Sequence, residues 1–121
     1  MIFQNITFKH TNTETDSRIH DLVSQKLATL EKYVSPDEEV RVEVEFEKEA
    51  SHKSGPICRV EVNLWVAGTL YRASTTEESY EAAVDVVKSE LDQEMKKAHK
   101  KKHSLIRKGG RMIKDMMRFG K

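Results

Sequence analysis

"EVRVEVEFEKE", Glu39 to Glu49, is the stretch on which the fold turns. Val40, Val42, Val44 and Phe46 fall at every second position, with Arg41, Glu43, Glu45 and Glu47 between them. Successive strand side chains point to opposite faces, so this run predicts a strand with one covered and one solvated face. Downstream, "ICRVEVNLWVAG" repeats the pattern. Cys58, Val60, Val62, Leu64 and Val66 face one way, and Arg59, Glu61, Asn63 and Trp65 the other. The polar loop "ASHKSGP" joins the two runs, and the region of Gly68 turns tightly into a third, Thr69 to Thr75. Alternating runs joined this way predict an antiparallel sheet.

Outward from this sheet the period changes. Ile19, Leu22, Val23, Leu27, Leu30 and Val34 recur at intervals of three and four, which predicts an amphipathic helix over Ser17 to Tyr33. Asp16 is placed to cap its N-terminus, and Pro36 ends it. Ahead of it, Ile2 to Lys9 reads as a short strand with Ile2, Ile6 and Phe8 on one side. Beyond the sheet, Tyr80, Ala83, Val84, Val87, Leu91, Met95 and Ala98 form the buried stripe of a second helix. Thr75 with Glu78 fits a capping box at its start. The order β-α-β-β-β-α predicts an α+β fold, a two-layer sandwich with two helices on one face of a four-stranded sheet. The first connection is long enough for a right-handed crossover.

The charge is unevenly spread. Lysine and arginine number 21 against 20 acids, a net +1, yet residues 96–121 hold eleven basic residues and one acid, Asp115. That end carries +10 and leaves −9 on residues 1–95. Lys96, Lys97, Lys100, Lys101 and Lys102 cover more than one face of the second helix, and Arg107, Lys108, Arg111, Lys114 and Arg118 extend the field. Such asymmetry predicts a polyanionic partner, since neutralising phosphates releases condensed counterions whatever the base sequence. The tail "RMIKDMMRFGK" could instead lie on an anionic membrane surface, but it is short and holds one aromatic.

Other features bound the function. The chain has 121 residues, 34% charged and 37% apolar, enough for one core. No apolar run approaches the roughly 20 residues that span a bilayer. The N-terminus lacks a signal-peptide pattern and Cys58 is the sole cysteine, so the expected location is the cytoplasm. "KSGP" and "KGGR" lack the strand–helix context of a phosphate loop, and Cys58 on an apolar strand face reads as core. His99 and His103 have a zinc-compatible spacing, but lysines surround them and no third ligand is near in sequence. His10, His20 and His52 are scattered along the chain and support no site. Trp65, on the solvated face, is placed to stack on a base or to cover a neighbouring side chain. The expectation is a protein that is not an enzyme and needs no cofactor or metal.

Three stretches then carry a resemblance: "KLATLEKY" (Lys26 to Tyr33), "VEV" (Val60 to Val62), and "YRAS…EESYEAAVD…EL…KK" from Tyr71 to Lys97. Their order and spacing are similar to the ribosome hibernation promoting factors, also called ribosome-associated inhibitors, in their short form. The resemblance spans about residues 1–103 and implies a ribosome-binding α+β domain there, with residues 104–121 as a basic C-terminal tail. It implies binding to the small ribosomal subunit and its ribosomal RNA between head and body. That position overlaps the messenger and transfer RNA sites, so translation is blocked in idle ribosomes. It further implies that a basic groove formed by the two helices faces the RNA.

By the same resemblance, Lys26 and Lys32 match basic positions of the first helix, and Lys96 and Lys97 those ending the second. Thr29, Glu90 and Gln93 stand where family members commonly carry basic residues, and Lys88 lies about half a turn from Glu90. The candidate RNA-binding set is therefore Lys26, Lys32, Lys88, Lys96, Lys97, Lys100, Lys101, Lys102, Arg107, Lys108 and Arg111. Off the ribosome the protein is expected to be a monomer. Two other readings fit the residues: a general double-stranded RNA binder, and an adaptor whose acidic sheet face (Glu43, Glu45, Glu47) meets a basic protein while the tail lies on a membrane.

Overall fold

A computed structural model describes residues 6–49 and 57–107, with side chains placed through Lys101 in the last helix. The elements are β1 (Ile6–Thr11), α1 (Ser17–Ala28), a 3-10 turn (Thr29–Tyr33), β2 (Val40–Lys48), β3 (Cys58–Val66), β4 (Thr69–Glu77) and α2 (Tyr80–Arg107). The strands lie in the order β1-β2-β3-β4. β1 is parallel to β2, with Phe8 opposite Val44, and the β2–β3 and β3–β4 pairs are antiparallel. The expected two-layer sandwich is what forms: helices on one sheet face, the other face open.

The alternating residues sort as their period requires. Val42, Val44, Phe46, Val60, Val62, Leu64 and Val66 are buried against Ile19, Val23, Leu27 and Leu30, and against Val84, Val87, Leu91 and Met95 of α2. Burying an apolar side chain of this size contributes about 1.5–3 kcal/mol, so this shared layer is what holds the helices down.

Local chemistry sets the element ends. Asp16 caps α1, its Oδ1 accepting the Ile19 N–H at 3.2 Å. The helix does not run unbroken to Tyr33. The Thr29 hydroxyl donates to the Lys26 carbonyl at 2.7 Å, and the chain tightens into the 3-10 turn that seats Leu30 in the core. Thr75 and Glu78 do not form the expected capping box. Thr75 lies within β4, which pairs with β3 as far as Glu77, and its hydroxyl donates to Glu77 Oε2 at 2.7 Å. The ladder holds Thr75 in the strand, so the cap is Ser79, whose Oγ accepts the Ala82 N–H at 3.1 Å. The expected tight turn joins β3 to β4 through Ala67 (φ 49°) and Gly68 (φ 86°). Two positive φ values match the twist of a two-residue hairpin, and only glycine adopts them at no steric cost.

Candidate nucleic-acid interface

Helix α2 changes sign along its length. From Tyr80 to Met95 it carries Glu81, Asp85, Glu90, Asp92 and Glu94 against Lys88 alone. From Lys96 to Arg107 it carries Lys96, Lys97, Lys100, Lys101, Lys102 and Arg107 and no acid. Met95 is the last residue of the helix with a buried side chain among those described. Ala98 and His99 sit beside the end of the sheet, bordering a cleft of about 410 Å³ with Lys32, Tyr33, Thr69 and Tyr71. The helix continues to Arg107, about 12 Å past His99 at 1.5 Å per residue. Lys96, Lys97, Lys100 and Lys101 are all exposed there. At 100° per residue they fan over an arc of roughly 140° opposite the buried stripe. Such an arc can meet phosphates from several directions.

Lys26 and Lys32 are elsewhere, in the seam between α1 and α2, and each has a carboxylate beside it. Lys26 Nζ lies 2.9 Å from Asp85 Oδ1, and Lys32 Nζ lies 4.0 Å from Asp92 Oδ1. Arg18 adds a third pair with Glu81 at 3.5 Å. Tyr33 donates its hydroxyl to Asp92 at 3.1 Å, carries Lys32 over its ring at 5.3 Å and meets His99 edge-on at 5.8 Å. Desolvation and then the Asp92 carboxylate push the Tyr33 phenol above its ordinary range. Lys88 is half-buried, between Asp85 and Asp92 on the same flank of α2. Glu90 is about 200° away around the helix, where with Gln93 and Glu94 it borders Leu70 and Arg72 of β4. The fold thus gathers Lys96, Lys97, Lys100 and Lys101 toward one helix end and holds Lys26, Lys32 and Lys88 in a seam beside Asp85 and Asp92. The side chains of Lys102 and Arg107 and all of Lys108 and Arg111 lie outside the described residues, as does His103's side chain.

The open sheet face is neutral. Lys9, Arg41, Arg59 and Arg72 stand against Glu43, Glu45, Glu47 and Glu61 on the outward side of the four strands. Glu43 pairs with Lys9 at 3.7 Å, Glu45 accepts from the Thr11 hydroxyl at 2.8 Å, and Glu47 pairs with Arg59 at 3.4 Å. The carboxylates that read as an acidic surface are therefore engaged within the sheet. Trp65 is covered by Arg41, whose guanidinium carbon lies 4.1 Å from the ring centroid. Glu61, only 7% exposed, is held by Arg59, by Arg72 at 2.9 Å and by Asn63 at 3.3 Å. Burial alone would raise its pKa. The hydrogen bonds from Arg59 and Asn63 and the charges of Arg72 and Arg59 outweigh it and hold the carboxyl below its ordinary range.

His10 and His20 are not scattered: the parallel β1–α1–β2 unit brings them together. The Thr15 hydroxyl lies 2.7 Å from His10 Nε2 and 2.9 Å from His20 Nε2, and His20 stacks on Phe8 at 4.0 Å. Ten residues separate them in sequence, so periodicity within one element carries no sign of the contact. Cys58 is buried and donates to the Glu78 carbonyl at 3.7 Å, with burial pushing its thiol pKa up. That is the opposite of what an attacking thiolate needs. Among the described residues no three His, Cys, Asp or Glu side chains converge as metal ligands, and no helix is long and apolar enough to cross a membrane.

Comparison with known proteins adds a relationship to this geometry. The family described as sigma 54 modulation protein / S30EA ribosomal protein matches residues 4–103. The solved N-terminal domain of Thermus thermophilus Protein Y is 28% identical, with a TM-score of 0.64 over 78% of this chain and 98% of that one. A ribosomal subunit interface protein from Coxiella burnetii shares the fold at 14% identity, with a TM-score of 0.60 over 77% of this chain and 94% of that one. No curated protein sequence matches. The family match runs through every strand, the first helix and most of the second, and its relatives share the sandwich that the alternating runs foretold. The chain belongs to the sigma 54 modulation protein / S30EA ribosomal protein family, whose members are ribosome-associated modulation and hibernation proteins.

Proposed function

We propose that the protein is a stoichiometric blocker of idle ribosomes, bound to the small ribosomal subunit across the messenger and transfer RNA sites. Residues 1–103 act as the ribosome-binding domain and residues 104–121 as a basic tail that extends its reach. It works by occupancy in the cytoplasm, as a monomer that holds no small-molecule substrate. The observation that carries this reading is the sign change of α2, which presents exposed Lys96, Lys97, Lys100 and Lys101 at and past the end of the sheet. Lys102, Arg107, Lys108 and Arg111 continue the phosphate track, while Lys26, Lys32 and Lys88 flank it from the seam. Family membership supports the ribosome as the partner.

Replacing Lys96, Lys97, Lys100 and Lys101 together by Ala tests the assignment. Each phosphate contact contributes about 0.7–0.9 to the slope of log K against log salt. Binding of the variant to purified small subunits, followed by sedimentation over a salt series, should flatten that slope by about 3. An unchanged slope would mean that the RNA contacts lie elsewhere.

A further inference from the structure

The seam between α1 and α2 holds Lys26, Lys32 and Lys88, and a carboxylate guards each of the two on α1 and the turn after it. Lys26 is paired with Asp85 at 2.9 Å and Lys32 stands 4.0 Å from Asp92. The spacing of Asp85, Lys88 and Asp92 puts the third lysine between the same two acids. A phosphate that approaches Lys26 or Lys32 must displace a carboxylate or lie within a few ångströms of it. Lys100 and Lys101 impose no such condition, since no acid lies within four residues of either on α2, and Lys96 and Lys97 have acids only on the side toward the helix start, at Asp92 and Glu94.

From this contrast we infer that Asp85 and Asp92 set the selectivity of RNA binding, by shielding Lys26 and Lys32 from any strand that brings phosphate alone. The inference rests on the RNA-binding reading above and says which RNA is taken. A flexible single strand brings phosphates one at a time and meets repulsion in the seam. A folded RNA surface offers 2′-hydroxyls and base amino groups that can donate to Asp85 and Asp92 while its phosphates lie on the free end of α2. The carboxylates therefore cost an unstructured competitor more than they cost a shaped surface. The pairs are also well suited to yield. Asp85 is 61% and Lys26 38% exposed at the side chain, so their mutual attraction is screened and a matching surface can part them.

Asp85→Asn/Asp92→Asn removes both charges while keeping side-chain shape, and the new amide at position 92 still offers an oxygen to the Tyr33 hydroxyl. An unstructured 12-nucleotide oligoribonucleotide and purified small subunits are the two probes, with fluorescence anisotropy reading the first and sedimentation the second. The oligonucleotide should bind about fivefold more tightly, with a salt slope steeper by about 1.4, as two lysines become available. The preference for subunits over oligonucleotide should shrink accordingly. Two controls make the readout specific. Asp37→Asn/Glu39→Gln, an equal charge change at exposed residues of the loop before β2, should give less than half that gain. In a Lys26→Ala/Lys32→Ala background the gain should fall to that of the Asp37/Glu39 control. No gain, an equal gain in the Asp37/Glu39 control, or a gain undiminished without the two lysines would each overturn the inference. The oligonucleotide measurement is read independently of the ribosome. It can therefore fail while retention of the wild type on subunits, and with it the proposed function, stands.

Discussion

Glu61 is one residue at which the sheet's open face acquires a measurable pH dependence. Its carboxylate, 7% exposed, is held by Arg59, Arg72 and Asn63. Removing the charge leaves two arginine donors poorly matched, a loss of about 2 kcal/mol at pH 7. Because the folded-state pKa is held below the ordinary value of 4.5, the contribution is fully present above pH 4.5 and fades as pH falls through the folded value. Urea unfolding of Glu61→Gln against wild type should therefore show a gap at pH 7 that narrows at pH 3. A gap that stays constant would mean the ionised carboxylate contributes nothing. Ala67 offers a change in the other direction. Its φ of 49° places a Cβ in the left-handed region, where an L-residue other than Asn or Asp is strained by about 1–2 kcal/mol. Ala67→Asn would give the Asn-Gly pair that two-residue hairpins favour. The midpoint of thermal unfolding should rise by about 4 °C, and a fall would show that the turn is not relieved by that side chain.

At the scale of elements, the legible part of the fold is the part governed by one period. Val42, Val44 and Phe46, or Val84, Val87 and Leu91, declare their faces because burial selects every second or every third and fourth residue. The ends are harder to read wherever two local preferences compete. Thr75 and Glu78 have capping spacing, yet pairing with Val60 keeps Thr75 in β4 and hands the cap to Ser79. Thr29 is an acceptable helical residue, yet its hydroxyl bond to Lys26 accompanies the change to a 3-10 turn. Site residues divide the same way. The basic third of α2 is visible as a run of charge, and no tertiary contact is needed to see it. The shielding of Lys26 depends on Asp85, 59 positions away, and becomes visible only when the two helices pack. Glu61 belongs with it. Alternation puts it on the solvated face, and only the strand register shows that Arg59 and Arg72 close over it.

Across the whole molecule, opposite charges are separated over a distance that matters. The open sheet face balances four cations against four carboxylates, the seam sets Lys26 and Lys32 beside acids, and the surplus positive charge collects on the end of α2 and the residues after it. A body with net charge −9 repels RNA phosphates that approach it broadside, while the +10 end attracts them, so the protein should meet RNA end-first. The helix that joins the two halves is anchored by Val84, Val87, Leu91 and Met95, and this anchor fixes where Lys96, Lys97, Lys100 and Lys101 stand. A polyanion attracted only by charge would be exchangeable for any other. Occupying one site on the ribosome requires a preference for one shape. Co-sedimentation of the protein with purified small subunits in dilute buffer, in the presence of an excess of an arbitrary RNA duplex, separates the two. The protein should remain with the subunits; its absence from them, or its transfer to the duplex, would refute ribosome-specific binding.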